Sequence, residues 1–372
     1  MARRATEGMV SSMRLTYLTI LVFAVTPAGA QRPTTAADAR RILSVLAADS
    51  MEGRGTGTAG AQRAARYIAT EMQRIGLKSL GDSGFFQHVP LTRDTMMERP
   101  WRRARDPQDT TKFIVVPDTS APLQPRVRLR LREKRSDLDT VPVARRRPDV
   151  NVLGVIQGAD PSLAQEHILI GAHFDHLGVG RAVNGDSIYN GADDDASGVA
   201  AVLEIGRQLA AGPRPRRTVV FAVTTGEEEG LLGINWYIAH PAIPIAEMVA
   251  NLEIELIGRP DALAGGRGKA WLTGYERSTM GDALAAKGIP IVADPRPSQE
   301  FFWRSDNIAF ARRGIVAHTL SSFGLHSDYH QPSDEIGKAD FDHMAAVINT
   351  TTRAVLLLAN GSKPEWKPGG KP

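Results

Sequence analysis

From Asn151 onward the chain alternates short apolar runs with amphipathic ones, and no other property restricts its fold as much. Residues 152–156, 168–172, 218–225, 248–257 and 314–320 are apolar and rich in β-branched side chains, as strands buried on both faces are. Between them residues 197–211 read as a helix with Val199, Val202, Leu203, Gly206 and Leu209 on its inward face, and Gly212-Pro213 ends it. A final helix buries Phe341, Met344, Ile348, Val355 and Leu358. Strands and helices that take turns predict an α/β fold with a largely parallel central sheet between helices. Polar groups at the strand ends then converge on one edge, where such sheets bind ligands.

The strand ends carry unusual chemistry. Gly171-Ala172-His173-Phe174-Asp175-His176 closes one apolar run, Asn190-Gly191-Ala192-Asp193-Asp194-Asp195-Ala196-Ser197-Gly198 opens the helix, and Gly226-Glu227-Glu228-Glu229-Gly230 closes another run. One Asp could cap the helix N-terminus, but three successive acids exceed that need. So much carboxylate in one place calls for a neutralising cation, and two divalent ions are the simplest one. Zinc accepts imidazole nitrogen and carboxylate oxygen, and a pair of metals about 3.5–4 Å apart needs a carboxylate between them. The chain contains no cysteine, so metal donors have to be His, Asp and Glu.

The remaining segments frame this core. Arg14, the apolar run 15–25 and Ala28-Gly29-Ala30 predict an export leader over residues 1–30, with Met9 or Met13 as alternative starts. A single membrane anchor is the competing reading, although the apolar run is short of the about 20 residues that a bilayer crossing takes. Arg3, Arg4 and Arg14 against Glu7 account for +2 of the formal net charge of +4, which leaves too little to suggest nucleic acid as a partner. Residues 31–91 form a helical preface in which Ala64, Ala65, Ile68, Met72 and Ile75 recur at helical spacing until Gly76. Residues 92–148 read as a small basic insertion, where Arg126, Arg128, Arg130 and Arg132 alternate with Val127, Leu129 and Leu131 as on a half-exposed strand. The arginine face is expected to be solvated rather than an anion site. Residues 149–360 form the main domain, and the Gly-, Lys- and Pro-containing tail 361–372 is expected to be loose.

Taken in order, His-x-Asp, Gly-Ala-Asp-Asp-Asp-Ala-Ser-Gly, Glu-Glu-x-Gly-Leu, Asn-Leu-x-x-acid-x-x-Gly-Arg and Tyr-His resemble the co-catalytic zinc aminopeptidases. That family includes bacterial leucyl aminopeptidases, aminopeptidase Y and relatives of glutamate carboxypeptidase II. The likeness covers most of residues 39–360, including the opening stretch Glu52-Gly53-Arg54-Gly55-Thr56-Gly57-Thr58. It implies a mixed sheet between helices and two zinc ions per chain, held by His173, Asp193, Glu228, Glu255 and His330 with Asp193 shared. It further implies Glu227 as general base, Asp175 as the acid that orients His173, Tyr329 as oxyanion donor, and a cis peptide between Asp193 and Asp194. Two departures stand out: Glu255 where relatives usually have Asp, with Glu253 as a nearby competitor, and Ser305-Asp306-Asn307 where they often read Ser-Asp-His.

The expected activity is hydrolysis of N-terminal peptide bonds by a zinc-bound hydroxide, outside the cytoplasm in a secreted or periplasmic setting. Substrates would be peptides with a free N-terminus, with no nucleic acid and, once the leader is removed, no membrane as partner. Gln299, Phe301, Phe302 and Trp303 are candidates for the wall of the side-chain pocket. Carboxypeptidase, dipeptidase or glutaminyl cyclase action on the same fold, and a non-catalytic receptor-like role, are the competing readings.

Overall fold

The computed structural model describes Met1 and residues 32–105 and 113–372. Apart from Met1, the expected leader lies outside the described residues.

A nine-stranded mixed sheet forms the centre. Its order runs Lys78–Ser79, Asp149–Ile156, Thr218–Thr224, His167–His173, Met248–Glu255, Ala317–Ser321, Ala270–Leu272 and Ile291–Ala293, with Phe86–Val89 also paired to Asp149–Ile156. The four strands from Thr218–Thr224 to Ala317–Ser321 are mutually parallel, and antiparallel pairings flank them. Alternation along each strand divides the core between the two faces. Ile168, Ile170, Ala172, Val219, Phe221 and Val223 pack toward the helices Ala36–Leu46, Ala59–Arg74, Gly198–Ala211 and Phe341–Asn360. Leu169, Val220 and Ala222 pack on the opposite side toward Leu232–Ala239 and Asn307–Ala311. The sheet is thus a mixed, largely parallel one sandwiched between helices.

Element ends shift by a few residues from the sequence reading, for local reasons. The strand expected over 248–257 stops at Glu255 because Leu256 turns into the left-handed region at φ 53°. The strand expected from residue 314 begins at Ala317, since Gly314 (φ 88°) still belongs to the preceding turn. Gly76 (φ 84°) follows the Ala59–Arg74 helix as anticipated.

Within residues 92–148, Leu91–Glu98 pairs with Gln124–Leu131 and Trp101–Arg105 with Phe113–Pro117, each antiparallel. Part of the arginine face is neutralised internally rather than by water alone. Arg128 reaches Glu98 at 2.9 Å, while Arg132 and Arg145 grip Asp94 at 2.7 and 2.5 Å. The tail, expected to be loose, is docked instead. The Trp366 indole donates to the Gly314 carbonyl at 3.0 Å and packs on His318, and Glu365 and Lys367 make backbone hydrogen bonds to Thr279 and Arg277. A half-buried indole packed on the core with its N–H satisfied outweighs the flexible Gly and Pro composition that suggested disorder. No helix among the described residues is long and apolar enough to cross a membrane.

Candidate active site and metal centre

Four neighbouring parallel strands deliver acids and imidazoles to one edge of the sheet. His173 is the last residue of its strand, level with Thr224, after which the chain turns through Thr225 and Gly226 to Glu227 and Glu228. Glu253 lies opposite Gly171, so Glu255, two residues on, ends its strand level with His173. Ser321 faces Glu255 across the next pairing, and the loop beyond it brings in Tyr329 and His330. Strand alternation therefore selects Glu255 for the edge. Glu253 stays in the interior, hydrogen-bonded to Asn251 at 2.8 Å.

The acidic turn before the helix distributes three carboxylates among three tasks. Asp195 accepts from the Gly198 and Leu256 N–H groups at 3.0 and 3.2 Å, capping the helix and fixing the chain just past Glu255. Asp193 accepts from the Gly258 N–H at 2.6 Å and sits 2.8 Å from His326 Nε2, pointing away from the other imidazoles. Asp194 alone projects between them, with Oδ1 3.3 Å from His173 Nε2 and Oδ2 3.1 Å from His330 Nε2. Asp194, rather than Asp193, thus stands between the His173 and His330 imidazoles. The cis peptide is displaced in the same sense, to Asp194–Asp195. In a run of three identical acids the sequence offers no mark of register. The turn's register is held by Asp334, which accepts the N–H groups of both Asp193 and Asp194 at 2.9 and 3.1 Å and is itself gripped by Arg259 at 2.8 Å.

A second brace was not anticipated. Arg54 is fully buried and donates to the carbonyls of Phe174, Leu46, Asn190 and Gly191 at 2.6 to 2.9 Å. It ties the end of the His173 strand to the start of the acidic turn. Burial pulls its pKa down to about 10 against the opposing pull of Asp194 and Asp195, so it remains a cation near neutral pH. Its only signal in the sequence is its place in the Glu52–Thr58 stretch, which carried no assigned role.

Asp175 holds two functional segments together. Its backbone carbonyl lies 3.1 Å from His173 Nδ1, while its carboxylate accepts from the N–H groups of Glu227 and Glu228 at 3.1 and 3.3 Å and from Thr56 Oγ1 at 2.9 Å. The imidazole is oriented chiefly by the Asp175 main chain, since the carboxylate oxygen stands off at 3.7 Å. Glu228 Oε1 lies 2.9 Å from His176 Nδ1 and 3.2 Å from His330 Nε2. His176, which stands in the His173–His176 stretch without an assignment, is the third imidazole of the cluster. The Ser305 hydroxyl donates to Glu255 Oε1. Asn307 faces inward instead, bonding the Phe302 carbonyl and Thr319, so the position where relatives often carry His serves packing here.

The electrostatics follow from crowding. Desolvation, together with the nearby Glu255 and Glu228, outweighs His173 and raises the Glu227 pKa well above the usual carboxylate range. Desolvation also raises Glu255. For Asp194 burial acts upward too, but His173 and His330 overcome it and hold the carboxylate well below its ordinary value. Burial alone would lower His330, yet Asp194 and Glu228 carry it to about 9. Imidazoles here serve as counter-charges for carboxylates.

That arrangement fits a metal better than it fits protons. Asp194 Oδ2 and His330 Nε2 are both buried and lie 3.1 Å apart, yet neither has a partner in hydrogen-bond geometry. One donor atom each from His176, Asp194 and Glu228 falls within 4.8 Å of the others. Converging imidazole and carboxylate groups are the donor set zinc takes. A pocket opens beside them, walled by Trp271, Phe301, Phe323 and Tyr329. Tyr329 stacks on His330 at 3.9 Å between ring centroids. Of the aromatics expected in the wall only Phe301 lines this pocket, since Phe302 packs into the core on the far face of the sheet and Trp303 is 40% exposed.

Comparison with known proteins adds a family. The model of peptidase family M28 matches residues 151–355. A "vacuolar membrane protease" of Sclerotinia sclerotiorum is 27% identical over 50% of this chain and 16% of its own length. A "probable leucine aminopeptidase 2" of Aspergillus fumigatus is 30% identical over 58% of this chain and 45% of its own. The chain thus spans less than half the length of these two curated relatives. Among solved structures, an aminopeptidase from Aneurinibacillus sp. strain AM-1 superposes with a TM-score of 0.60 at 15% identity, covering 90% of this chain and 96% of that one. A zinc aminopeptidase from Bacillus subtilis gives 0.59 at 15% identity over 88% and 96%. These likenesses show the same fold.

Proposed function

Because the chain belongs to peptidase family M28, we propose that it is a zinc-dependent aminopeptidase carrying two zinc ions. The observation that carries this reading is the Asp194 carboxylate set between His173 and His330 at 3.3 and 3.1 Å, with Glu228 and Glu255 beside it at the strand ends. His173, Glu255 and Asp194 would hold one ion, and His330, Glu228 and Asp194 the other, so Asp194 takes the shared place first expected of Asp193. Zinc bound there would polarise the scissile carbonyl and make water acidic near neutral pH.

Glu227 accepts the proton of the attacking water and delivers it to the leaving amine. A carboxylate with raised proton affinity suits both transfers. Asp175 holds the Glu227 and Glu228 backbone and the His173 ring in mutual register, so base and donors are positioned by one residue. The Tyr329 hydroxyl, kept protonated by desolvation, donates to the oxyanion that develops on the substrate. The acid-rich edge offers a counter-charge to a free α-ammonium group, which favours cleavage at N-termini. Export with loss of residues 1–30 remains part of the reading and rests on the leader-like sequence alone.

The test is hydrolysis of aminoacyl-anilides by zinc-replete protein, with N-blocked and C-terminal-probe peptides as controls. Glu227→Gln is expected to reduce turnover by roughly 10²- to 10⁴-fold while bound zinc stays near two per chain. Wild-type turnover in that variant would refute the base assignment, and a zinc-free protein after metal supplementation would refute the whole reading.

A further inference from the structure

Among the described residues lining the pocket beside the acidic cluster, Arg304 is the one lysine or arginine, and it shares the lining with His173, Asp194, Glu227, Glu228 and Glu255. It directly precedes Ser305, whose hydroxyl is anchored on Glu255, so the Arg304 backbone is fixed relative to the reacting centre. Its guanidinium lies over the Phe301 ring at 5.1 Å, and Phe301 is itself stacked on Trp271 at 5.3 Å and packed edge-on to Phe323 at 5.9 Å. An aromatic platform of this kind restrains a long side chain and leaves its donor edge free. Nearby arginines are already engaged: Arg259 with Asp328, Arg277 with Glu276 and Arg296 with Asp261. Among the described residues no carboxylate pairs with Arg304, although it is exposed and surrounded by an acid-rich pocket.

Resting on the peptidase reading, we infer that Arg304 is a specificity-determining residue that binds a carboxylate on the substrate. The fork of guanidinium donors takes a carboxylate in two parallel hydrogen bonds. The carboxylates of Asp194, Glu227, Glu228 and Glu255 in the lining repel such a group, and the Arg304 guanidinium over Phe301 offsets them. Two sources present the same chemistry: the side chain of an acidic N-terminal residue, or the terminal carboxylate of a dipeptide.

The experiment compares kcat/KM on paired substrates with the zinc-replete full chain. Glutamyl-anilide against leucyl-anilide probes the side-chain source, and Leu-Gly against Leu-Gly-amide probes the terminal one. In one pair Arg304→Met is expected to lower the charged-to-neutral ratio by about 10- to 100-fold, mainly through KM, with Arg304→Lys retaining part of it. The same pairs are titrated calorimetrically into zinc-replete Glu227→Gln protein with and without Arg304→Met, which reports binding without turnover. A ratio unchanged by Arg304→Met in both pairs, with hydrolysis intact, overturns the Arg304 assignment alone. Carboxylate-dependent binding without hydrolysis by the wild-type chain overturns the peptidase reading and leaves Arg304 standing.

Discussion

The three-acid turn allows a sharp test, because neighbouring residues of the same type are assigned different work. Asp194 presents one oxygen to His173 and the other to His330, so each side of the centre has its own atom. In Asp194→Asn one of those oxygens becomes an NH₂ group, which offers no lone pair to a cation, and the negative charge is gone. Removing one partner of a buried charge pair costs about 3–5 kcal/mol. At about 1.36 kcal/mol per factor of ten, zinc binding should weaken by roughly 100- to 1,000-fold or more on at least one side. Asp193→Asn keeps an amide oxygen to accept the Gly258 N–H, so about 1–2 kcal/mol of stability is at stake while the proposed zinc donors are untouched. Metal per chain is measured by elemental analysis after equilibration in zinc buffers, and affinity by competition with a chelator. Thermal unfolding confirms that both variants fold. Two ions retained in Asp194→Asn and lost in Asp193→Asn would refute the assignment.

Other expectations follow from the same contacts. Arg54→Met should lower stability by about 3–5 kcal/mol, because it removes the donors of four buried carbonyls at once; urea denaturation measures it, and a loss below 1 kcal/mol would contradict the bracing role. His176→Ala should weaken zinc binding by about 10- to 100-fold without changing the number of ions at saturation, since His176 contacts Glu228 at 2.9 Å; chelator competition reads this, and unaltered affinity would show that Glu228 needs no such support. Burial raises the pKa of Asp149 to about 6, so its contribution to stability is full below its unfolded value and is lost as pH rises through 6. The difference between wild type and Asp149→Asn in denaturant unfolding should therefore change by up to about 3 kcal/mol between pH 4 and 7, and a flat difference would contradict the burial argument.

The sequence reveals the sheet because its strands are apolar on both faces and its helices are not, so periodicity and composition agree from Asn151 to the last helix. The strand-end places of His173 and Glu255 were legible for the same reason, and parity along the strand separates Glu255 from Glu253, whereas Glu228 and His330 lie in loops past Thr224 and Ser321 and were named only through the family resemblance. The acidic turn was not, because its register depends on Asp334 and Arg259, which lie far along the chain and reach it only in the folded state. Arg54 and His176 were overlooked because a lone arginine or histidine near Gly or Asp has no periodicity to betray burial. The tail misled through composition, since one Trp in the right place overrides eleven neighbours rich in Gly, Lys and Pro.

The spread of the cluster over residues 173 to 330 has a consequence for biosynthesis. No fragment that stops short of residue 330 can assemble the cluster, since its final imidazole is supplied only after the strand Ala317–Ser321 has joined the sheet. Until residue 330 has been made and brought to the sheet edge, Asp194 and Glu228 lack one of the two imidazoles that stand within 3.3 Å of a carboxylate oxygen of each.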